Sequence, residues 1–195
     1  TNAREDALRR DFTVNALFLD PATGDIRDYV GGRADLDARV IRAIGDPETR
    51  FTEDHLRLLR AVRFAAVLGF SIEPATFAAI RKLAPQIRRI SAERIRDELF
   101  RLLTEAPQAG QALQLLRDAG LLKEILPEVE ALVGVEQPPE FHPEGDVFTH
   151  VKLMLDAMPP NPSLRLALAV LLHDVGKPPT ANFATLPDGT QRWRF

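Results

Sequence analysis

Residues 52–70, "TEDHLRLLRAVRFAAVLGF", are where the chain changes texture. Leu56, Leu59, Val62, Phe64, Ala66 and Val67 recur at helical intervals, which predicts an amphipathic helix with an apolar face turned to a core. Thr52 is the expected N-cap and Gly69 the expected stop. Within the same stretch Asp54, Arg57, Arg60 and Arg63 come at intervals of three and read as a slowly rotating polar stripe along that helix. A carboxylate and a guanidinium one turn apart offer the acceptor and donors needed to read a base edge. The two following arginines extend the stripe with charge suited to phosphates, although the same spacing also serves an ordinary solvated face.

Before this helix the first forty-odd residues read as mixed α/β. "TVNALFLD" and "DIRDYV" are apolar-rich runs joined by "PATG", and a hairpin is expected there. A Gly pair, a short helical piece and a strand-like "RVIRAI" follow. After it come amphipathic helices in "EPATFAAIRKLAPQI", "SAERIRDELFRLLTEA" and "QAGQALQLLRDAGLLKEIL". Ser91 and Thr104 are expected caps of the middle one, with Pro107 the firmer stop. "GVEQPPEFHPEG" lacks periodicity and reads as a linker. "DVFTHVKLMLDAM" and "LRLALAVLLHDVGK" are two further helices split by "PPNPS", and the last segment opens what looks like a hairpin.

Size and composition set bounds. The chain has 195 residues, a net charge of −3 and no cysteine, so disulfides and thiolate metal sites are excluded. No apolar run approaches the roughly eighteen residues of a membrane span. A cytoplasmic location fits. Lysine occurs only at positions 82, 123, 152 and 177 among 25 basic residues, so arginine supplies nearly all the positive charge. Arginine suits bidentate grip on phosphates and base edges. In "RRDFTVN", Arg9 and Arg10 point in different directions on any regular element; one could hold a phosphate while the other pairs with Asp11, and Asn15 adds an amide. Taken alone, that cluster reads more readily as a surface salt bridge. His150, His173 and Asp174 supply nitrogen and oxygen ligands for a divalent metal, and the last two follow the apolar "LALAVLL", where polar side chains need partners. His142 reads as a linker residue.

Taken together and in order, these stretches resemble the class II tRNA nucleotidyltransferase and poly(A) polymerase family. "RRDFTVNAL" looks like its nucleotide-recognition motif, "DYVGGRADL" its flexible-loop motif, "RFTEDHLRLLRAVRF" its EDxxR base-selection helix and "ISAERIRDEL" its later neck motif. "HPEGDVFTH" followed by "LLHDVGKP" is similar to the metal-dependent HD-type domain fused to many members.

The resemblance implies a mainly α fold in four parts. Residues 1–46 would be an α/β remnant of a nucleotidyltransferase head and 47–134 a helical neck and body. A linker at 135–145 would lead to the start of a helical HD domain at 146–195. Arg10, Asp54, Arg57, Arg60 and Arg63 would bind nucleotide, supported by Arg9, Asp11 and Asn15. His150, His173 and Asp174 would bind a divalent metal. Partners would be the tRNA 3′ end, ATP and CTP, and Mg2+ would serve the transferase. The family's Gly-rich phosphate-binding stretch and metal-binding carboxylates lie upstream of RRDFT, so no catalytic residue is expected in this chain, and the HD domain's later aspartate is expected beyond Phe195, with Asp188 a poor substitute. The function implied is base selection and RNA binding within an enzyme that adds CMP and AMP to tRNA. The alternative is an HD phosphohydrolase acting on nucleotide or RNA phosphate esters, and a third reading is a non-catalytic tRNA binder.

Overall fold

The computed structural model describes residues 2–137 and 144–180, together with the backbone of 182–185 and 191–194. Helix α1 (Ala3–Arg9) is capped by the Asn2 side chain, which accepts from the Glu5 N–H. A 3-10 turn (Thr13–Asn15) then leads into a minimal hairpin, β1 (Phe18–Leu19) and β2 (Ile26–Arg27), paired antiparallel with Phe18 opposite Arg27. The hairpin expected from "PATG" is therefore present but shorter than its apolar runs, because "TVN" is used for the turn.

Helix α2 (Gly32–Asp37) starts from an unusual cradle. The Asp28 carboxylate accepts from the N–H groups of Val30, Gly31, Gly32 and Arg33 at 2.9–3.0 Å. Burial raises the Asp28 pKa, but these four bonds outweigh it and hold the group below its ordinary value. Glycine is required at 32: a Cβ there would stand 2.2 Å from the Thr13 carbonyl oxygen.

Strand β3 (Val40–Ile41) does not join the hairpin. It pairs in parallel with β4 (Ser71–Ile72), which lies beyond the next two helices, α3 (Pro47–Glu53) and α4 (Leu56–Leu68). Helix α3 is set by its N-cap Asp46, which accepts from Thr49, and by Pro47 in its first turn. Gly69, at φ 66°, ends α4 in the left-handed conformation as expected. The helix does not begin at Thr52. That residue lies inside α3 with its hydroxyl donating to the Glu48 carbonyl, and the chain is extended at Asp54 before α4 starts.

The remaining helices follow the periodicity. They are α5 (Pro74–Leu83) with a 3-10 extension to Arg89, α6 (Ala92–Glu105), α7 (Ala109–Asp118), the short α8 (Leu122–Ile125) and α9 (Pro127–Glu130), then α10 (Val147–Asp156), α11 (Leu164–Leu172) and α12 (Lys177–Thr180). Ser91 occupies the N-cap position of α6, but its side chain makes no capping bond to the helix N–H groups. Thr104 does not cap that helix but donates back to the Phe100 carbonyl. A closing hairpin, β5 (Asn182–Thr185) and β6 (Gln191–Arg194), pairs antiparallel. The fold is mainly α, as expected. Among the described residues no helix is long and apolar enough to cross a membrane.

One apolar core runs from Phe12 and Ile41 through Leu58, Leu59 and Val62 of α4, Leu102 and Leu103 of α6 and Leu113 and Leu116 of α7 to Phe148, Val151 and Leu171. A second, smaller cluster of Ala7, Ala16 and Ile44 lies in the N-terminal part. Burying each such side chain stabilises by about 1.5–3 kcal/mol relative to exposure. Helix α10 comes so close to α7 that a Cβ on Gly110 would stand 2.0 Å from the Lys152 carbonyl oxygen. Asp156 then accepts from the Gly110 N–H at 2.7 Å and so caps α7.

Candidate functional site

A polar cleft of about 300 Å³ opens where α1, the α3–α4 junction and α6 meet, lined by Arg9, Arg10, Asp11, Asn15, Asp54, Leu56, Arg57, Arg60 and Arg94. It gathers every expected nucleotide-binding residue except Arg63. Five arginines against two aspartates give it a net positive lining, which favours an anionic ligand.

Asp54 is not on a helix. Its Oδ1 accepts from the Leu56 N–H at 3.0 Å, capping α4, and its Oδ2 accepts from Arg94 Nη2 at 2.9 Å. Burial pushes its pKa up, but the bonds from Arg94 and Leu56 and the charges of Arg94 and Arg57 hold it below the ordinary carboxylate value. The group is therefore an acceptor at neutral pH. Arg57, on the first turn of α4, is fixed at one end: Nη1 donates to the Arg50 carbonyl at 2.9 Å and to Glu53 Oε2 at 2.7 Å, and Nη2 donates to the Arg9 carbonyl at 3.3 Å. These bonds use three of the five guanidinium N–H groups of a residue that lines the cleft.

Arg60 is one turn further on and is held by two acids. Its Nε and Nη2 contact Asp11 Oδ2 at 2.8 and 2.7 Å, and Nη1 reaches Glu98 Oε1 at 3.4 Å. Arg63 does not reach the cleft. Only 2% of its side chain is exposed, its Nε donates to Glu98 Oε2, and its guanidinium lies 4.2 Å from the Phe64 ring centre. The stripe fails for a geometric reason: a step of three residues rotates by about 60° on an α-helix, so Arg63 has turned into the core.

The expected pairing of Asp11 with Arg9 or Arg10 is also absent. Asp11 is buried; it takes Arg60 on one oxygen and the Asn15 amide, at 3.1 Å, on the other. Arg10 instead pairs with Asp6 at 3.1 Å, donates to the Asn15 carbonyl at 2.9 Å and lies 4.9 Å from the Phe18 ring centre. Sequence reasoning missed Arg94 and Glu98. Their i, i+4 spacing on one face of α6 was a usable signal, since one such face presents both to α4.

The second cluster is 150, 173 and 174. One ligand atom each from His150, His173 and Asp174 lie within 4.8 Å of one another. His150 Nδ1 engages Glu144 Oε1 at 2.6 Å and His173 Nδ1 engages the Val170 carbonyl at 2.8 Å, the arrangement that commonly orients metal-ligating histidines. Two imidazoles and a carboxylate fit a borderline divalent ion. Lys177 already contacts Asp174 Oδ2 at 2.8 Å and donates to Gln137 Oε1 at 2.6 Å. His142 and Asp188 lie outside the described residues.

Residues 1–42 match a family described as "Poly A polymerase head domain", and residues 69–132 one described as "Probable RNA and SrmB-binding site of polymerase A". The chain is 44% identical over 177 residues to the "Multifunctional CCA protein" of Nitrosospira multiformis, a match over 89% of this chain and 42% of that protein. It thus spans less than half the length of this curated relative. The "CCA-adding enzyme" of Bacillus stearothermophilus, solved in complex with CTP, superposes with a TM-score of 0.65 at 34% identity, over 92% of this chain and 49% of that one. A tRNA nucleotidyltransferase complexed with a primer tRNA and an incoming ATP analog superposes with a TM-score of 0.58 at 28% identity, over 80% and 49%.

Proposed function

Since the chain belongs to the class II tRNA nucleotidyltransferase and poly(A) polymerase family, we propose that it supplies base selection and RNA binding to an enzyme that adds CMP and AMP to the 3′ end of tRNA, using CTP and ATP and releasing pyrophosphate. The observation that carries this reading is that Asp54 and Arg57, each bonded to other partners, line the same cleft. Cytosine and adenine each carry an exocyclic amine beside an accepting ring nitrogen. Asp54 accepts from such an amine while Arg57 donates to the ring nitrogen. Uracil and guanine present the reverse, a carbonyl beside a ring N–H, which leaves both protein groups facing their own kind. Arg10 and Arg60 add positive charge for the ribose and triphosphate, with Arg9, Asp11 and Asn15 in support. The helices of 69–132 receive the RNA end.

In the intact enzyme divalent metal, Mg2+ in our reading, would activate the attacking 3′-hydroxyl and neutralise charge on the transferred phosphoryl group. The cleft at Asp54 does not fit that metal, because Asp11 is engaged by Arg60 and Asp54 by Arg94. This chain's part is recognition, not bond making. At the second cluster His150, His173 and Asp174 would hold a divalent ion. A phosphohydrolase as the main activity is not favoured beside relatives named for CCA addition.

Hydrogen exchange tests the reading. CTP and ATP should each protect residues 9–15 and 54–60, and UTP should not. Equal protection by all nucleotides, or none by CTP, would remove the base-reading assignment.

A further inference from the structure

Resting on that reading of the cleft, we infer that Arg50, which does not line it, is a positioning residue for base selection. Arg57 is held in part by two main-chain carbonyls, those of Arg50 and Arg9, so its aim depends on how the end of α1 sits against α3. The side chain of Arg50 fixes that relation. Its Nη2 donates to the Leu8 carbonyl at 2.8 Å, one peptide from the carbonyl that Arg57 uses. Its Nε donates to the Ile44 carbonyl at 3.2 Å, and its Nη1 bonds Glu53 Oε2 at 2.9 Å. That same Glu53 oxygen receives Arg57 Nη1.

One mostly buried guanidinium thus joins three segments, namely α1, the stretch after β3 and the last turn of α3. Each of its three nitrogens serves a different one. The two arginines share one acid and two adjacent peptides, so freeing Arg50 loosens every partner that orients Arg57. No lysine can replace it, because a single ammonium cannot span three acceptors laid out for a planar fork. Glu53 is held below its ordinary pKa, chiefly by the bond from Arg57 against the opposing effect of burial, and it remains an anion for both guanidiniums at neutral pH.

The test titrates the chain with CTP and with UTP by calorimetry, at a temperature where circular dichroism shows each variant folded. Arg50→Met should weaken CTP about three- to tenfold and narrow the preference for CTP over UTP by a similar factor. Arg50→Lys, which keeps charge and stem if the methionine variant fails to fold, should narrow it too. Arg57→Ala is the reference and should erase the preference. Unchanged preference in the folded Arg50 variants, with Arg57→Ala losing it, overturns the positioning role and leaves base reading intact. Preference retained in Arg57→Ala, or no CTP binding by the unaltered chain, removes the base-reading assignment and the role of Arg50 with it.

Discussion

Glu98 and Arg63 are paired out of reach of solvent, with 9% and 2% of their side chains exposed, and the same carboxylate reaches Arg60 at the edge of the cleft. A charge at that depth persists only because its partner is present. Glu98 thus ties the wall of the polar cleft to the core beneath it.

Glu98→Ala should therefore destabilise the fold by about 3–5 kcal/mol, since it leaves Arg63 charged and buried without an anion. Urea denaturation measures it. Adding Arg63→Met should recover much of the loss, because the core then holds no lone charge. A double variant as unstable as the single one would show that the defect is packing and not charge.

Arg94→Ala removes the partner of Asp54 on the surface side of the cleft, where both side chains are substantially exposed. Stability should change by less than about 1 kcal/mol. Binding of CTP should weaken all the same, because Asp54 then keeps only its cap to Leu56. Calorimetry at fixed ionic strength separates the two effects.

Acid should act through Asp54. Its folded pKa is depressed, so the stabilisation it provides is complete above its ordinary value of about 4 and is lost as pH falls through the lower, folded value. Asp54→Asn should flatten that part of the stability profile below about pH 4. Urea midpoints measured between neutral and acid pH give the slope, and an unchanged slope in the variant would assign it to other acids.

Gly110→Ala should cost about 1–3 kcal/mol, because the added methyl group meets the Lys152 backbone and forces α7 from α10. The thermal midpoint should fall. Nucleotide affinity of the folded fraction should hold, since the contact is remote from the cleft lining.

At the His150, His173 and Asp174 cluster, Mn2+ titration should show one bound ion, lost in His173→Ala. Lys177→Met should tighten binding, because the ammonium contacts the Asp174 carboxylate that a cation would share. Equal affinity in that variant would mean that Lys177 does not compete.

Much of the fold was legible because apolar spacing marks helices that bury one face. Leu56 to Val67 and the heptad-like runs in α6 and α7 needed no long-range knowledge. The break at Asp54 was not legible, since "TEDHL" is as helical in pattern as the residues of α4 itself, and the interruption is made by a side-chain cap to Leu56. The parallel pairing of Val40 with Ser71 was invisible for another reason. It joins residues separated by two helices, and no local signal encodes it. In the site, the residue types were readable and the partners were not. Arg63 and Arg60 look alike in the sequence, and only Glu98 and the turn of the helix decide which faces solvent.

The stitching of the N-terminal segment to the helices has a mechanical corollary. Val40 is zipped to Ser71, the Thr76 hydroxyl receives the Ala43 N–H at 3.1 Å, and Asp11 grips Arg60. A hinge requires a seam with few bonds across it, and residue 46 has no such seam. Any bending at this point would have to break these bonds together, so the N-terminal segment and the helices that follow are expected to move as one body.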